Sequence, residues 1–266
     1  MPELPEVETI RRQLEPRVAG RRIVGAWAHE SPKFAPAVDA VGARVDAVGR
    51  RGKYLLLALD NDHELIVHLG MTGVLRIAAA AAPDPYVRAQ WDLDDRSVLE
   101  YRDVRRFGRI AVVARGCYGS LPTLAAQGPE PFDDEFAPDQ LWRAFRASTS
   151  RVKTQLLSQR PVAGVGNIYA DEALWRAGVH PASRQVTKPQ ATRLHEAIRH
   201  VLAQGIDNGG TTLRDYRDFA GGRGENQHAL LCYGRHDEPC SRCGTTLRRT
   251  VIDARGTTFC PSCQKR

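Results

Sequence analysis

The second residue, Pro2, carries a nitrogen that becomes a free amine if Met1 is removed, as initiator methionine normally is before a small residue. A terminal α-amine has a reference pKa of about 8, against about 10.4 for lysine. A far larger fraction of this amine than of a lysine is therefore neutral near pH 7, and the neutral amine can attack the anomeric carbon of a sugar to form an iminium intermediate. The alternative is that Pro2 simply precedes a helix.

Groups that can move protons follow this amine along the chain. Glu3 and Glu6 are three residues apart, so they share a face in the first turn of a helix and can transfer protons near the amine. Acidic residues also occur there simply because they complement the helix dipole. Lys53, at a turn-to-strand boundary in Gly52-Lys53-Tyr54-Leu55, can act as an acid or base or contact a phosphate, with a solvated lysine as the alternative.

Four of the six cysteines form two closely spaced pairs, Cys240-x-x-Cys243 and Cys260-x-x-Cys263. Each short gap lets a tight turn present both sulfurs to one ion, and the 16 residues between the pairs suit a β-hairpin. The pattern predicts one zinc ion, which is structural because four thiolates leave no position for water. Paired disulfides or free thiols are the alternative. Cys117 and Cys232 lack such spacing and are predicted to be ordinary buried thiols.

The charge of the chain favours a polyanionic partner such as nucleic acid. The formal net charge is +7, and residues 240–266 hold six Arg or Lys residues against one acid, Asp253. This local surplus of +5 exceeds the charge of about −2 on a four-thiolate zinc site. It predicts a hairpin that faces phosphates, with a solvated basic tail as the alternative.

No apolar run is long enough for a membrane span and the acidic N-terminus lacks a secretion signal, so we expect a cytoplasmic protein.

The first half of the chain changes from a helical to a strand-like hydrophobic pattern. Residues 4–18 place apolar side chains three and four apart, which predicts one amphipathic helix with Pro16 ending or kinking its last turn. From 21 to about 116, short apolar runs such as Tyr54–Leu57 predict the strands of a sandwich or barrel. The Ala- and Pro-rich run Ala78–Pro85 predicts a mobile loop.

The second half of the chain is predicted to be helical. It begins with a Pro-rich, acidic stretch at 127–139 that is typical of an interdomain linker. Helical patterns follow at 139–148, at 153–159, at 167–177 before Gly178, and in a fourth helix that Thr187 caps and Gly209-Gly210 ends.

Three short motifs can contact a phosphate backbone or a base stack. Two glycines in His68-Leu69-Gly70-Met71-Thr72-Gly73 suit a tight turn that pushes Met71 outward. Arg105-Arg106-Phe107-Gly108 combines cations with an aromatic ring that can wedge between bases, unless it is a basic strand edge with one core Phe. Gly164-Val165-Gly166-Asn167 precedes a helix predicted to be capped by Asn167, whose first amides either bind a phosphate or form a plain cap.

Together these segments resemble the formamidopyrimidine-DNA glycosylase family over almost the whole chain. The residues that carry the resemblance are Met1–Thr9, Gly52–Leu55, His68–Met71, Arg105–Gly108, Gly164–Asp171, Gly209–Leu213 and the cysteine module. Six ordered motifs and the cysteine module are not expected together by chance, so the family resemblance is favoured over the simpler interpretations.

The resemblance implies an α+β fold. An N-terminal helix and a β-sandwich would be followed by a helical helix–two-turns–helix domain and a zinc finger β-hairpin, with DNA in the cleft between them. We expect the catalytic domain at 1–126, the linker at 127–137, the helix–two-turns–helix domain at 138–222 and the finger at 223–266.

The resemblance also implies a role for each matching residue. Pro2 would form the Schiff base, Glu3 would donate a proton for base loss and Glu6 would support it. Lys53 matches the lysine assigned to β-elimination, and Arg255 matches the finger arginine associated with the second elimination. The matching DNA-binding residues are Met71, Arg105 and Phe107, which would fill the gap left by the flipped nucleotide, and Lys153 and Asn167, which would hold phosphates.

Two segments depart from the family pattern. Tyr86 stands where the family usually has a phosphate-contacting histidine, so we expect altered phosphate binding. Gly221–His228 replaces the Gly-Tyr-Phe-like loop over the everted base, with Glu225 and Asn226 in place of the aromatics. Polar side chains at these positions can bind a different base edge.

The resulting hypothesis is a DNA-repair glycosylase with lyase activity. It would act as a monomer on damaged double-stranded DNA, remove 8-oxoguanine and formamidopyrimidines through a Pro2 Schiff base, and complete β,δ-elimination. The opening Glu3-Leu4-Pro5-Glu6 favours oxidised purines over the substrates of the endonuclease VIII-like branch. The alternatives are the same scaffold specific for oxidised pyrimidines or abasic sites, and a non-catalytic zinc-finger DNA-binding protein.

Overall fold

A computed structural model describes residues 1–78 and 84–266 of the chain. These residues form two compact units, Met1–Ala125 with Asn208–Glu225, and Ala126–Asp207 with Asn226–Arg266. The run Ala78–Pro85, predicted to be a mobile loop, lies largely outside the described residues. No helix in the described part of the chain is both long and apolar enough to cross a membrane.

The first unit combines one long helix with two antiparallel sheets. The helix α1 (Leu4–Val18) forms where the sequence predicts it, with Pro16 inside its last turn. In the described residues the strands are β1 (Ile23–Ala28), β2 (Val45–Arg51), β3 (Tyr54–Leu59), β4 (His63–His68), β5 (Gly73–Ala78), β6 (Val87–Leu93), β7 (Val98–Asp103) and β8 (Arg109–Ala114). They pair in the orders β1-β6-β7-β5 and β2-β3-β4-β8, which confirms the predicted sandwich. A short helix, α2 (Pro122–Ala125), follows them.

The core of the first unit explains the uninterrupted apolar run of β3. Leu55 belongs to the main cluster, which also contains Leu14 of α1 and Trp91 of β6. Leu56 points to the opposite face, where it packs with Leu124 of α2 in a second cluster. Because both faces of β3 are covered, polar residues do not alternate along it. Burial of each large apolar side chain stabilises the fold by roughly 1.5–3 kcal/mol.

The second unit contains helices and one hairpin. The described helices are α3 (Pro138–Arg146), α4 (Val152–Leu157), α5 (Asn167–Ala177) and α6 (Lys188–Asp207), and the hairpin strands are β9 (Arg248–Ile252) and β10 (Arg255–Phe259). Thr187 caps α6 as predicted, because its hydroxyl accepts the Gln190 N–H while the Gln190 side chain accepts the Thr187 N–H. The predicted α+β fold with a C-terminal hairpin is thereby confirmed.

Each compact unit contains two separate stretches of the chain, so neither unit corresponds to one continuous range of residues. Residues 208–225, which follow α6, group with the first unit. The stretch 127–137, predicted as a linker, lies in the second unit, where the Phe136 side chain is buried and its carbonyl accepts a hydrogen bond from His195 Nε2 at 2.8 Å.

Candidate active site and zinc centre

The start of α1 buries the groups predicted to do the chemistry. Pro2 is buried, and the side chains of Glu3 and Glu6 are only 3% and 2% exposed. One Glu6 carboxylate oxygen accepts the Glu3 backbone N–H at 2.7 Å, and the other accepts the Thr211 N–H at 2.7 Å. A single carboxylate therefore joins the beginning of α1 to the segment Asn208–Glu225.

The glycine before Thr211 leaves no room for a side chain. A Cβ on Gly210 would lie 2.9 Å from Cγ of Glu6, and its φ of +87° is a conformation that glycine adopts readily. Tyr216 donates its hydroxyl hydrogen to the Gly209 carbonyl at 3.1 Å, and burial raises the pKa of this phenol, so it remains a neutral donor. Thr211 was not among the predicted site residues, although the Gly-Gly-Thr-Thr motif was the signal for it.

Lys53 lies in the two-residue turn between β2 and β3 and is only 6% exposed, so it is not a solvated lysine. His68, at the end of β4, packs its ring 4.6 Å from that of Tyr54. Burial, and then the positive charge of Lys53, lower the pKa of His68 to about 4, while Asp103 opposes the shift. His68 is therefore neutral near pH 7 and adds no second positive charge beside Lys53.

The structure brings together the three residues predicted to fill a gap in DNA. Met71 is 37% exposed, Phe107 is 50% exposed and Arg105 is also exposed. The Arg105 guanidinium lies 3.6 Å from the Met71 sulfur and 4.6 Å from the centre of the Phe107 ring. Two apolar side chains and one cation thus form one protruding cluster on the first unit.

Tyr86 stands immediately before β6 with 41% of its surface exposed. Its ring lies 4.8 Å from the Arg102 guanidinium, and its backbone N–H donates to the Asp84 carboxylate at 2.9 Å. The Arg102 guanidinium also donates to the Asp84 carboxylate at 2.9 Å, so its positive charge is already paired beside the Tyr86 ring.

Lys153 is completely buried in the second unit. Its ammonium lies 2.6 Å from the Asp171 carboxylate and donates to the Gly256 carbonyl and the Thr257 hydroxyl of the hairpin. Burial raises the pKa of Asp171 to about 6, against the opposing effect of Lys153. These contacts give Lys153 a role inside the unit, whereas its contact with phosphate stays a prediction.

Asn167 is the first residue of α5, and the cap is Gly166. The prediction that Asn167 caps this helix is wrong, because its side-chain amide reaches the hairpin and donates to the Gly256 carbonyl at 3.1 Å. Arg255 begins β10 and is exposed. The hairpin turn consists of Asp253 and Ala254, both with positive φ, which is the geometry of a type I′ turn.

The four predicted zinc ligands converge. The ligand sulfurs of Cys240, Cys243, Cys260 and Cys263 all lie within 4.8 Å of one another, with pairs at 3.4, 3.5 and 4.0 Å. A tetrahedral zinc ion with bonds of about 2.3 Å holds its sulfurs about 3.8 Å apart, so the cluster fits this ion. Of the other thiols, Cys232 is buried as predicted, but Cys117 is exposed, which corrects that prediction.

Trp175 of α5 supports the zinc cluster from the helical side. Its indole N–H donates to the Cys240 sulfur at 3.4 Å, and the Arg242 guanidinium lies 3.9 Å above its ring. Hydrogen bonds to ligand sulfurs orient thiolates around a metal. The sequence motif of four cysteines did not identify Trp175, which lies 65 residues earlier in the chain.

Comparison with known families covers most of the chain. Residues 1–110 match the formamidopyrimidine-DNA glycosylase N-terminal domain, 127–217 match the formamidopyrimidine-DNA glycosylase H2TH (helix–two-turns–helix) domain, and 237–266 match a zinc finger found in FPG and IleRS. The Deinococcus radiodurans protein named formamidopyrimidine-DNA glycosylase is 46% identical over 99% of this chain and 97% of its own length.

Solved structures give the same result. The crystal structure of MutM (Fpg) from Thermus thermophilus matches with a TM-score of 0.90 and 44% identity, over 99% of this chain and 98% of that chain. A Lactococcus lactis Fpg variant in complex with Fapy-dG-containing DNA matches with a TM-score of 0.90 and 36% identity over all of both chains. The chain therefore belongs to the formamidopyrimidine-DNA glycosylase family, DNA glycosylases of base excision repair with one structural zinc site.

Proposed function

We propose that this protein is a bifunctional DNA glycosylase and lyase whose nucleophile is the amine of Pro2. The observation that carries the proposal is the buried start of α1, where Glu6 holds the backbone of Glu3 next to Pro2 and is itself held by Thr211. Removal of Met1, which is 54% exposed, would free the secondary amine.

The reaction would proceed in steps that these residues can serve. The Pro2 nitrogen forms a bond to C1′ of the damaged nucleotide while the bond to the base breaks, and Glu3 supplies the proton that the leaving base needs. The C1′–O4′ bond then breaks and O4′ takes up a proton, which opens the sugar and leaves an iminium between the Pro2 nitrogen and C1′. The iminium makes the C2′ hydrogen acidic, so its removal expels the 3′ phosphate. Lys53 assists this first elimination. Arg255 assists the second elimination, which expels the 5′ phosphate.

We infer that the partner is damaged double-stranded DNA, which this protein would bind as a monomer at the nucleoid. The cluster of Met71, Arg105 and Phe107 would fill the space that the everted nucleotide leaves. Tyr86 and Asn167 would serve at the phosphate backbone, whereas the buried Lys153 would support this surface through its contacts with Asp171 and the hairpin. The Lactococcus lactis relatives, which are bound to Fapy-dG-containing and abasic-site DNA, support this proposal.

Oxidised purines are the substrates that the family resemblance favours, but one loop motivates a second candidate. Asn226 is 3% exposed and its amide donates to the Tyr169 hydroxyl at 3.4 Å, so it points into the second unit. Glu225 is exposed, and it is the residue of this pair that can present a polar group to a base. A carboxylate accepts hydrogen bonds from N–H groups, which oxidised pyrimidines offer as well as purines.

A cleavage assay on four duplexes tests this proposal. The duplexes carry 8-oxoguanine, a formamidopyrimidine, an oxidised pyrimidine or a preformed abasic site, and the proteins are wild type, Glu3→Gln and Glu15→Gln. Glu15 is the matched control, since it lies on the same helix with a side chain that is 40% exposed. We expect Glu3→Gln to lose base excision and retain cleavage at the abasic site, while Glu15→Gln behaves as wild type.

Each outcome of this assay assigns a function. Wild-type cleavage of the two purine duplexes supports purine specificity. Cleavage of the pyrimidine duplex alone supports the second candidate, a glycosylase specific for oxidised pyrimidines. Cleavage only at the abasic site overturns the glycosylase claim. DNA binding with no cleavage of any duplex would make the protein a non-catalytic DNA-binding protein.

A further inference from the structure

A buried carboxylate joins the two loops that carry the protruding cluster. Asp103, the last residue of β7, is fully buried. Its Oδ1 accepts the Thr72 hydroxyl at 2.6 Å and the Arg105 backbone N–H at 3.2 Å, and its Oδ2 accepts the Gly108 N–H at 2.8 Å. Thr72 follows Met71, whereas Arg105 and Gly108 belong to the loop that contains Phe107. One side chain therefore fixes the backbone of the Phe107 loop and joins it to the Thr72 side chain of the Met71 loop.

The two loops lie against each other with no space for a side chain between them. A Cβ on Gly70 would lie 2.5 Å from the Gly108 nitrogen, and a Cβ on Gly108 would lie 1.7 Å from the Tyr101 hydroxyl oxygen. This hydroxyl lies 3.3 Å from Asp103 Oδ2, and burial, followed by the charge of Asp103, raises the pKa of Tyr101. Tyr101 thus remains a protonated donor beneath the two loops.

The chemistry of the site selects a carboxylate over an amide. An ionised Asp accepts hydrogen bonds at both oxygens, whereas Asn accepts at one and presents its own N–H groups at the other position. The donors that converge on Asp103 from Thr72, Arg105 and Gly108 would then face another donor at one of these positions. A buried backbone N–H left without an acceptor destabilises its local conformation.

The exposed side chains of the cluster depend on this backbone. Met71 and Phe107 are each more than a third exposed, so little of the core holds them in place. We propose that Asp103 is a positioning residue that presets Met71, Arg105 and Phe107 for insertion into the base stack before DNA binds. This inference rests on the proposed function, since it assigns the cluster to nucleotide eversion. A cluster that is already ordered in the free protein avoids the entropy cost of ordering its loops when DNA binds.

Hydrogen exchange of the backbone amides tests the loop claim without any substrate. The variants are Asp103→Asn and, as matched control, Asp95→Asn, because Asp95 also accepts a backbone N–H and a hydroxyl, both from Ser97. We expect the amides of residues 104–108 to exchange about tenfold faster in Asp103→Asn and at the wild-type rate in Asp95→Asn. Wild-type exchange at residues 104–108 in Asp103→Asn would overturn the proposal.

The functional arm compares two substrates. An abasic nucleotide has no base to unstack, so its eversion needs the cluster less than eversion of 8-oxoguanine does. We expect the ratio of lesion excision to abasic cleavage to fall about tenfold in Asp103→Asn, and Phe107→Ala to lower that ratio much less in this background than in wild type. Equal losses on both substrates, or multiplicative losses in the double variant, would contradict the proposal.

A second variant covers the case in which Asp103→Asn does not fold. Thr72→Val removes one donor to Asp103 at nearly constant volume and should shift the same ratio and the same amides by a smaller factor. Unchanged values in a folded Thr72→Val protein would also overturn the proposal. If wild type cleaves none of the duplexes, the proposed function fails, whereas the exchange data still decide whether Asp103 orders the loops.

Discussion

The site residues act through carboxylates whose oxygens are held by backbone N–H groups. Glu6 accepts the N–H groups of Glu3 and Thr211, and Asp103 accepts those of Arg105 and Gly108. The sequence alone indicated Glu3 and Glu6, because their spacing and the adjacent amine define a chemistry. It did not indicate which residues Thr211 and Asp103 contact, since their partners lie 205 and 31 residues away, and such pairings arise only from the tertiary fold.

The neutral His68 makes stability depend on pH. Its pKa is about 4 in the folded protein and about 6.5 in the unfolded chain, so below pH 6.5 the unfolded chain binds more protons. The contribution of neutral His68 to the free energy of unfolding is therefore fully present above pH 6.5. It is lost progressively as the pH falls toward 4. We expect His68→Gln to flatten the decline of the free energy of unfolding between pH 7 and 4.5, measured by urea denaturation.

The control for this experiment is His63→Gln, which changes an exposed histidine of the same strand. Its pH profile should match that of wild type. If His68→Gln and wild type lose stability in parallel over this range, the burial of a neutral His68 is not what makes the protein sensitive to acid.

At the scale of elements, helices were predictable where the signals are local. The stripe of α1 and the Gly178 stop of α5 are local patterns, and both helices form with the predicted bounds. The cap of α5 was not predictable, because Asn167 is drawn into a contact with Gly256, which lies 89 residues later. The return of residues 208–225 to the first unit likewise depends on contacts that no local pattern encodes.

The buried pair of Lys153 and Asp171 should stabilise the second unit. We expect Lys153→Met to lower the free energy of unfolding by about 3 kcal/mol, because it leaves the Asp171 carboxylate buried without its cation. Thermal denaturation measures the effect, and Lys188→Met, which changes a 60% exposed lysine, is the control. The slope of log DNA affinity against log salt concentration gives the alternative outcome. If this slope falls by about 1 in Lys153→Met while the melting temperature is unchanged, Lys153 contacts phosphate and does not stabilise the unit.

The zinc site should stabilise the hairpin that contains Arg255. The four-thiolate site forms only in the folded protein, so the free energy of zinc binding adds to the stability of the fold. Removal of zinc by a chelator should therefore lower the melting temperature and the DNA affinity together. Metal analysis should find one zinc per chain in wild type and little in Cys243→Ser. The control is Cys117→Ser, an exposed thiol outside the cluster, which should retain both zinc and stability. A Cys243→Ser protein that retains wild-type stability would contradict a structural role.

For the whole molecule, composition predicted a polyanionic partner and ordered motifs predicted the family. Both followed from the sequence because net charge and the order of motifs are properties of the linear chain and do not depend on tertiary contacts. Substrate choice did not follow, since Gly221–His228 departs from the family pattern at the residues that would meet the everted base. Glu225 and Asn226 now have different environments, exposed and buried, which makes Glu225 the residue to vary when the preferred lesion is known.

The central claim is that the Pro2 amine attacks the sugar, and borohydride trapping tests it most directly. Wild type and Pro2→Gly are incubated with lesion and abasic duplexes under borohydride, and the covalent product is digested and located by mass spectrometry. The account predicts that wild-type DNA adducts map to a peptide that begins at Pro2, without Met1, and that Pro2→Gly, whose primary amine replaces the ring nitrogen, gives less adduct. An adduct on Lys53, or an active enzyme that retains Met1, would contradict it.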